Sequence, residues 1–344
     1  MNICQVMLAK GFGGAERLFV DLCRALAARG HEVLAVCHPR GEAAGLLRGV
    51  AGLSLEAVPV AGVWDLLAVR RLRALLAARR PALVGAHLAR AAYIAGRAAR
   101  PLGIPVIAKT HNYVDLKYYR RVDAFVTITD DQRSYLLRAG VPAARIEVIP
   151  NFSSIPPAAA VTAAGNELAM VGRLVPKKGA DVLLRAMARL VRQGMDVRLR
   201  VAGDGGERER LVALAASLGL QDRVHFAGWQ WDIAGFLDGA SLFVLPSLDE
   251  PFGIALIEAM ARGVPIVATA TQGPREIMTE REGWLVPPGD EAALADAIRA
   301  ALDDAPERAR RAERALERFR SEYAEAVVLP KLIDLYGRIA PLSR

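Results

Sequence analysis

Short apolar runs alternate with longer stretches of helical spacing along most of this chain. In the first part the runs are NICQVMLA, HEVLAVCH, ALVGAH, PVIAKTH, AFVTIT and IEVIPN, with AERLFVDLCRALAARG between the first two. Apolar strands separated by helices of this length read as βαβ units, and their near-continuous hydrophobicity predicts a parallel sheet buried on both faces. The segment FSSIPPAAAVTAAGN, residues 152–166, interrupts the rhythm with Pro, Ala and Ser in no period and is predicted to be a linker. The rhythm then restarts with LAMVGR, VRLRVAG, VHFAGW, SLFVLPS, PIVATA and GWLVPP as strands, and GADVLLRAMARLVRQG and GERERLVALAASLG as helices. The pattern predicts an α/β protein of two Rossmann-like, doubly wound domains at 1–155 and 166–320. Ligands of such sheets bind outside the carboxyl ends of the strands, so a cleft between the domains is the expected site.

Length agrees with this division, since 344 residues hold two domains at roughly 150 residues each. No run of apolar residues is long enough to span a bilayer, and the start MNICQVMLAK lacks the charged region of a signal peptide. A cytoplasmic protein is expected. Cys4, Cys23 and Cys37 are odd in number, form no CxxC pair and sit among apolar residues, as structural thiols do. Charge is uneven: residues 1–150 hold 21 Lys and Arg against 11 Asp and Glu, net +10, whereas 151–344 hold 24 against 26, net −2. A basic first half suits nucleic acid, anionic headgroups or a phosphorylated ligand, and site chemistry must choose among them.

The dinucleotide fingerprint fails. GFGGAE after the first strand places Glu16 where the third glycine belongs, the second strand ends in Cys37 and His38 rather than an acid, and GDGGER from Gly203 puts Arg208 in the third place. Walker A, HExxH, GxSxG and paired CxxC patterns do not occur. Gly13 and Gly14 stand before a helix beginning near Ala15, where open amides and the positive dipole end favour a diphosphate; a tight turn needing positive φ is the ordinary alternative. In VGRLVPKKGADVLL, Arg173 follows a strand and Lys178 precedes the glycine that opens a helix, which places both at the carboxyl edge of the second sheet. They can clamp phosphate, or be ordinary solvent-facing loop cations.

The segment SLDEPFGIALIEAMARGVP carries Glu250 and Glu258 on either side of an apolar run. A helix beginning near Gly253 and ending at Ala261 puts Glu250 before it and Glu258 within it. The rise from Gly253 to Glu258 is roughly 8 Å, about the separation of sugar and ribose in a nucleotide diphosphate sugar. Each carboxylate can accept from hydroxyls of a different ring. The first-turn amides of Phe252, Gly253 and Ile254 supply donors between them. Charge complementing a helix dipole, with Glu258 bonded to backbone, is the ordinary alternative.

Glu250 and Glu258, with seven residues between them in EPFGIALIEAMARGVPIVAT, together with GGAER at 13–17, VGRLVPKKG at 171–179 and RVHFAGW at 223–229, resemble the family 4 retaining glycosyltransferases of the GT-B fold, two facing Rossmann-like domains. The resemblance covers nearly the whole chain and is strongest from 168 to 300. It implies a second domain that holds a sugar nucleotide and a first domain that meets the acceptor. By the same resemblance Glu250 binds donor-sugar hydroxyls, Glu258 binds the ribose, Arg173 and Lys178 clamp the diphosphate with the Gly14 amide, and His225 to Gly228 border the base. His111 in IAKTHNY matches the family histidine that faces the donor sugar, although a core or capping role would suit this residue alone; Asn112 departs from the acidic or small residue frequent beside it. The tail 321–344, with helical spacing interrupted at Pro330, is implied to cross back to the first domain.

Breaking an anomeric C–O bond leaves a nucleoside diphosphate whose developing charge needs stabilisation. No DxD motif occurs, so Arg173, Lys178 and helix N-termini are expected to supply the field without a metal and without a cofactor. For the acceptor, LLAVRRLRALLAARR at 66–80 and KTHNYVDLKYYRR at 109–121 gather cations and tyrosines in the first half. The first of these is either a helix lying on anionic membrane or the solvated face of an ordinary Rossmann helix. A lipid-linked or phosphorylated glycan acceptor, such as lipopolysaccharide core, met at the inner membrane face is the favoured reading. Nucleic acid is not expected, because no reading module or aromatic stacking pattern is present. A phosphorylase or nucleotide-sugar hydrolase on the same fold, and a noncatalytic glycan-binding protein, are the alternatives.

Overall fold

The structure is a computed structural model that describes residues 1–159 and 165–340. Part of the 152–166 linker, residues 160–164, and the last four residues of the 321–344 tail lie outside the described residues. The chain divides into two compact units, Met1–Phe152 with Glu325–Arg344, and Ser153–Ala324.

The first unit contains β1 (Asn2–Met7), β2 (Glu32–Cys37), β3 (Leu53–Ala57), β4 (Leu83–His87), β5 (Val106–Lys109), β6 (Ala124–Thr127) and β7 (Ile146–Val148). They form one sheet in the order β3-β2-β1-β4-β5-β6-β7, every pair parallel. The second unit contains β8 (Glu167–Val171), β9 (Arg198–Ala202), β10 (Val224–Gly228), β11 (Leu242–Leu245), β12 (Ile266–Thr269) and β13 (Trp284–Val286). Its order is β10-β9-β8-β11-β12-β13, again all parallel. The central strands are largely apolar because helices cover both faces, with Gln5, His87 and Lys109 as buried polar exceptions in β1, β4 and β5; β4, β5, β6, β11 and β12 are buried throughout. The architecture is α/β, two Rossmann-like units, the GT-B class.

Both sheets grow outward from their first strand and then reverse, which creates topological switch points between β1 and β4 and between β8 and β11. Side chains just past these four strands occupy the crevice where open α/β sheets bind ligands.

Four local features differ from the sequence reading. β3 was not expected: LSLEA is a half-buried edge strand whose alternation Leu, Ser, Leu, Glu lacks the continuous apolar run of its neighbours. The helix after β1 starts at Gly14 rather than near Ala15. Residues 153–155 group with the second unit, because the Ser153 amide donates to the Tyr323 carbonyl at 3.2 Å and Ser153 bridges Ala324. The tail is not one helix from 321: a π turn at Phe319–Tyr323 ends in extended Ala324, and the final helix, Glu325–Ile339, belongs to the first unit and runs through Pro330.

Candidate functional site

In the second unit the switch point brings three sequence-picked residues to one edge. Arg173 lies just past β8 and its side chain is exposed. Lys178 ends the short 3-10 turn Pro176–Lys178, and Glu250 lies five residues past β11. Two contacts bind these loops together. The Leu248 amide donates to the Lys177 carbonyl at 2.8 Å, and Gly179 packs so tightly on the Pro246 carbonyl that a Cβ there would lie 2.1 Å from its oxygen.

The result is an ion pair that the sequence did not disclose. Lys178 Nζ donates to Glu250 Oε2, and Ser247 Oγ donates to the same oxygen at 3.3 Å. The side chains are 17% and 9% exposed, so neither Lys178 nor Glu250 is a solvent-facing charge, which excludes that reading for Lys178. Both bonds fall on Oε2, and an ammonium has three donors; Oε1 and two N–H groups keep capacity for a ligand. The pair is therefore a carboxylate fixed in orientation with a cation beside it. The Gly273 amide holds the Glu250 carbonyl at 2.9 Å, and Thr269 Oγ1 holds that of Ser247 at 2.5 Å, so the loop is tied from β12 as well.

The helix after this loop is Ile254–Ala261, as its spacing predicts, with Gly253 as N-cap at φ 103°. That left-handed value demands glycine and lets the chain turn directly from Phe252 into the helix. The Ile254 amide, first in the helix, has no intrahelical acceptor by geometry, whereas the Leu256 amide already donates to the Gly253 carbonyl at 3.0 Å. Phe252 is buried and contributes packing against Tyr323, ring centroids 6.2 Å apart, so its backbone and not its ring is the part available to a ligand. Glu258 is buried within the helix. At the sheet edge beyond β9, Gly203 has φ 140° and a Cβ there would meet the Gly172 carbonyl oxygen at 1.9 Å. The Gly203 amide donates to the Gly228 carbonyl at 2.7 Å and the Leu174 amide to that of Asp204 at 2.9 Å, so the loops carrying Arg173 and Gly228 are stitched through one glycine turn.

In the first unit, Gly13 is the N-cap of the helix Gly14–Ala28 with φ −166°. This is extended backbone that any residue adopts, and neither Gly13 nor Gly14 has positive φ, so the tight-turn explanation fails. Glu16 occupies the first helical turn and offsets the positive dipole end there.

His111 is not a lone histidine. It lies two residues beyond β5, and its Nε2 is 3.1 Å from His87 Nδ1, with the rings stacked at 5.3 Å. His87, the last residue of β4, places its Nε2 3.0 Å from Gln5 Oε1, and Gln5 Nε2 donates to the Tyr336 hydroxyl of the final helix at 3.1 Å. Phe19 closes the other side of His87 with an edge contact at 5.2 Å. Lys109, beside His87 in the sheet register, is buried too. Burial drives the Lys109 ammonium down to about 7 and His87 down to about 3, the latter aided by Lys109. Burial, His87 and Lys109 together hold His111 well below the usual imidazole range, so it is neutral at physiological pH. The sequence alone does not single out Gln5, His87 or Tyr336, and Lys109, which opens the cationic segment 109–121 expected to meet the acceptor, is instead buried in the sheet and is no surface cation; the signal for His87 is a polar ring ending an otherwise apolar strand.

Cations also gather at the carboxyl edge of this sheet. Arg90 donates to the Leu8 carbonyl at 2.9 Å, and a Cβ on Gly41 would lie 2.7 Å from the Ala9 carbonyl oxygen, so the loops after β1 and β2 touch. Burial and the charges of Lys10, Arg90 and Arg40 push His38 below its ordinary value. Elsewhere on the unit, Trp64, Leu66 and Leu67 are 58%, 61% and 60% exposed at the start of the helix Leu66–Arg79. Trp64 packs against Tyr93 and Tyr118, and Arg97 and Lys117 stack on those two rings. Among the described residues no helix is long and apolar enough to cross a membrane, and no group of three His, Cys, Asp or Glu could hold a metal ion.

Comparison with known proteins matches residues 156–318 to the model for glycosyl transferases group 1 and residues 12–153 to that for glycosyltransferase family 4. The chain is similar to two lipopolysaccharide core biosynthesis glycosyltransferases of Rhizobium meliloti strain 1021. It is 33% identical to LpsD, over 95% of each chain, and 32% identical to LpsE, over 94% of this chain and 95% of that one. Among solved structures, Anabaena Alr3699/HepE in complex with UDP-glucose superposes with a TM-score of 0.85 at 22% identity, covering 98% of this chain and 100% of that one.

Proposed function

The chain belongs to the group 1 glycosyltransferases with a family 4 first half, and from that premise we propose that it is a retaining, metal-independent hexosyltransferase using a nucleotide diphosphate sugar. The observation that carries this reading is the Lys178–Glu250 pair at the β8/β11 switch point, a fixed carboxylate beside a fixed cation. Glu250 Oε1 accepts from hydroxyls of the donor sugar, Glu258 from the ribose, and the amides of Gly253 and Ile254 lie between. Arg173 and Lys178 stabilise the leaving diphosphate as charge develops on it, and His225 to Gly228 border the base. Since HepE binds UDP-glucose, a UDP-sugar is the favoured donor, with GDP-mannose next.

The acceptor is a lipid-linked or phosphorylated glycan of lipopolysaccharide or envelope polysaccharide. The names of LpsD and LpsE support this, as do the cations Lys10, Arg40 and Arg90 at the first sheet's carboxyl edge. The exposed Trp64, Leu66 and Leu67, flanked by Arg70 and Arg71, suit peripheral contact with an anionic bilayer, apolar tips entering the headgroup boundary and guanidinium groups meeting phosphates. The test is thermal-shift titration with UDP, GDP, ADP and NAD. One nucleoside diphosphate should raise the melting temperature, since a ligand at 100 times its dissociation constant adds roughly 2.7 kcal/mol. Radiolabelled transfer from the matching sugar nucleotide should then be lost in Arg173→Ala and Glu250→Ala proteins that remain folded; full transfer in both overturns the reading.

A further inference from the structure

The four-group chain His111, His87, Gln5 and Tyr336 joins β5, β4, β1 and the final helix, and its polarity decides what His111 can do. Gln5 Nε2 donates to Tyr336, which turns Oε1 toward His87 Nε2. That oxygen can only accept, so His87 carries its proton on Nε2 and presents a bare Nδ1. The bare nitrogen in turn requires the His111 proton on Nε2. In a neutral imidazole the remaining atom, Nδ1 of His111, is then an acceptor.

We propose that His87 is a positioning residue, fixed by Gln5 and Tyr336, that holds His111 in the Nε2-protonated tautomer, so that His111 meets a hydroxyl as hydrogen-bond acceptor and does not meet phosphate as donor. The backbone is built around this residue. Leu88, directly after His87, has φ 68°, left-handed backbone that a branched side chain rarely adopts, and such strain persists where the surroundings over-determine it and collects at functional sites. Gly85, two residues earlier on the same face, leaves the space Gln5 fills: a Cβ there would lie 2.3 Å from Gln5 Oε1. The consequence for chemistry rests on the glycosyl-transfer reading above; the tautomer does not.

The experiment therefore has two independent arms. The first is two-bond ¹H–¹⁵N correlation on the full chain labelled at histidine, which has only five imidazoles to assign. His87 and His111, identified through His111→Gln and His87→Asn spectra, should each show a protonated Nε2 and an unprotonated Nδ1. The reverse pattern, or an imidazolium at either ring, overturns the proposal whatever the enzyme does. The second arm is steady-state kinetics. His87→Phe removes the acceptor for the His111 proton and should lower kcat about 100-fold with KM for the sugar nucleotide little changed, as misplacement of a reacting group does. His87→Asn retains an acceptor at the Nδ1 position and should recover part of the loss; Tyr336→Phe, a milder change, should lower kcat less. Equal activity of His87→Phe and wild type overturns the proposal. Failure of the wild-type protein to transfer any sugar, with the tautomers as expected, removes the glycosyl-transfer reading and leaves the relay in place.

Discussion

The Lys178–Glu250 pair makes a quantitative demand on stability. At 17% and 9% exposure it lies near the buried limit, where removing one partner costs about 3–5 kcal/mol because the other charge stays desolvated, and far from the surface limit of about 0–1 kcal/mol. Lys178→Met leaves Glu250 with Ser247 as hydrogen-bond partner and should cost about 3 kcal/mol. Glu250→Gln leaves a cation with a neutral amide partner and some access to water, and should cost about 1–2 kcal/mol. The double variant contains neither charge, so its loss should be about 1–2 kcal/mol rather than the sum of about 4–5, a coupling of about 2–4 kcal/mol. For a unit of about 150–250 residues each kcal/mol moves the midpoint by about 2–4 °C, so Lys178→Met should melt about 6–12 °C lower. Calorimetry and urea titration of all four proteins measure the cycle. Additive losses, or a Lys178→Met protein as stable as wild type, would show that the two charges are hydrated independently and that Glu250 is not held by Lys178.

Other consequences follow from single positions. Lys109 has a folded-state value of about 7 against 10.5 for the ordinary ammonium, so between these values the unfolded chain binds the extra proton and stability rises with pH. Lys109→Met should be more stable than wild type by up to about 5 kcal/mol at pH 7 and below, with the gap closing toward pH 10.5, as read from urea midpoints; a gap independent of pH would refute the assignment. Gly203→Ala drives a methyl into the Gly172 carbonyl at a φ of 140°, and should cost about 3 kcal/mol while weakening nucleotide binding through the displaced Arg173 loop, checked by calorimetry and by titration with the stabilising nucleotide. Replacing Leu66 and Leu67 together by Ser, which spares the packing of Trp64 on Tyr93 and Tyr118, should abolish co-sedimentation with phosphatidylglycerol vesicles while the protein stays folded by circular dichroism; binding that survives would remove this surface from the membrane reading.

Much of the fold was legible as pattern. The apolar runs at β1, β2, β4 to β7 and β8 to β13 marked strands because a parallel sheet covered on both faces needs no alternation, and the break after Phe152 marked the restart. Residues whose roles depend on local position were legible too: Gly253 before a helix, Arg173 past a strand, Glu250 in a loop and Glu258 in a helix. The edge strand β3 escaped because half-exposure gives a weaker signal than burial.

What sequence could not supply is which chain ends meet. Lys178 and Glu250 are 72 residues apart and touch only because β8 and β11 are neighbours at the point where the sheet reverses its order. Gln5 and Tyr336, 331 residues apart, join the histidine pair because the final helix packs in the unit formed by the first residues; the resemblance implied that return of the tail but not which side chains meet there. Hydrophobic periodicity is a local property and fixes which segments are strands and helices. Ion pairs, tautomers and the depressed ammonium of Lys109 arise from burial and through-space neighbours, and those exist only once strand order has been chosen.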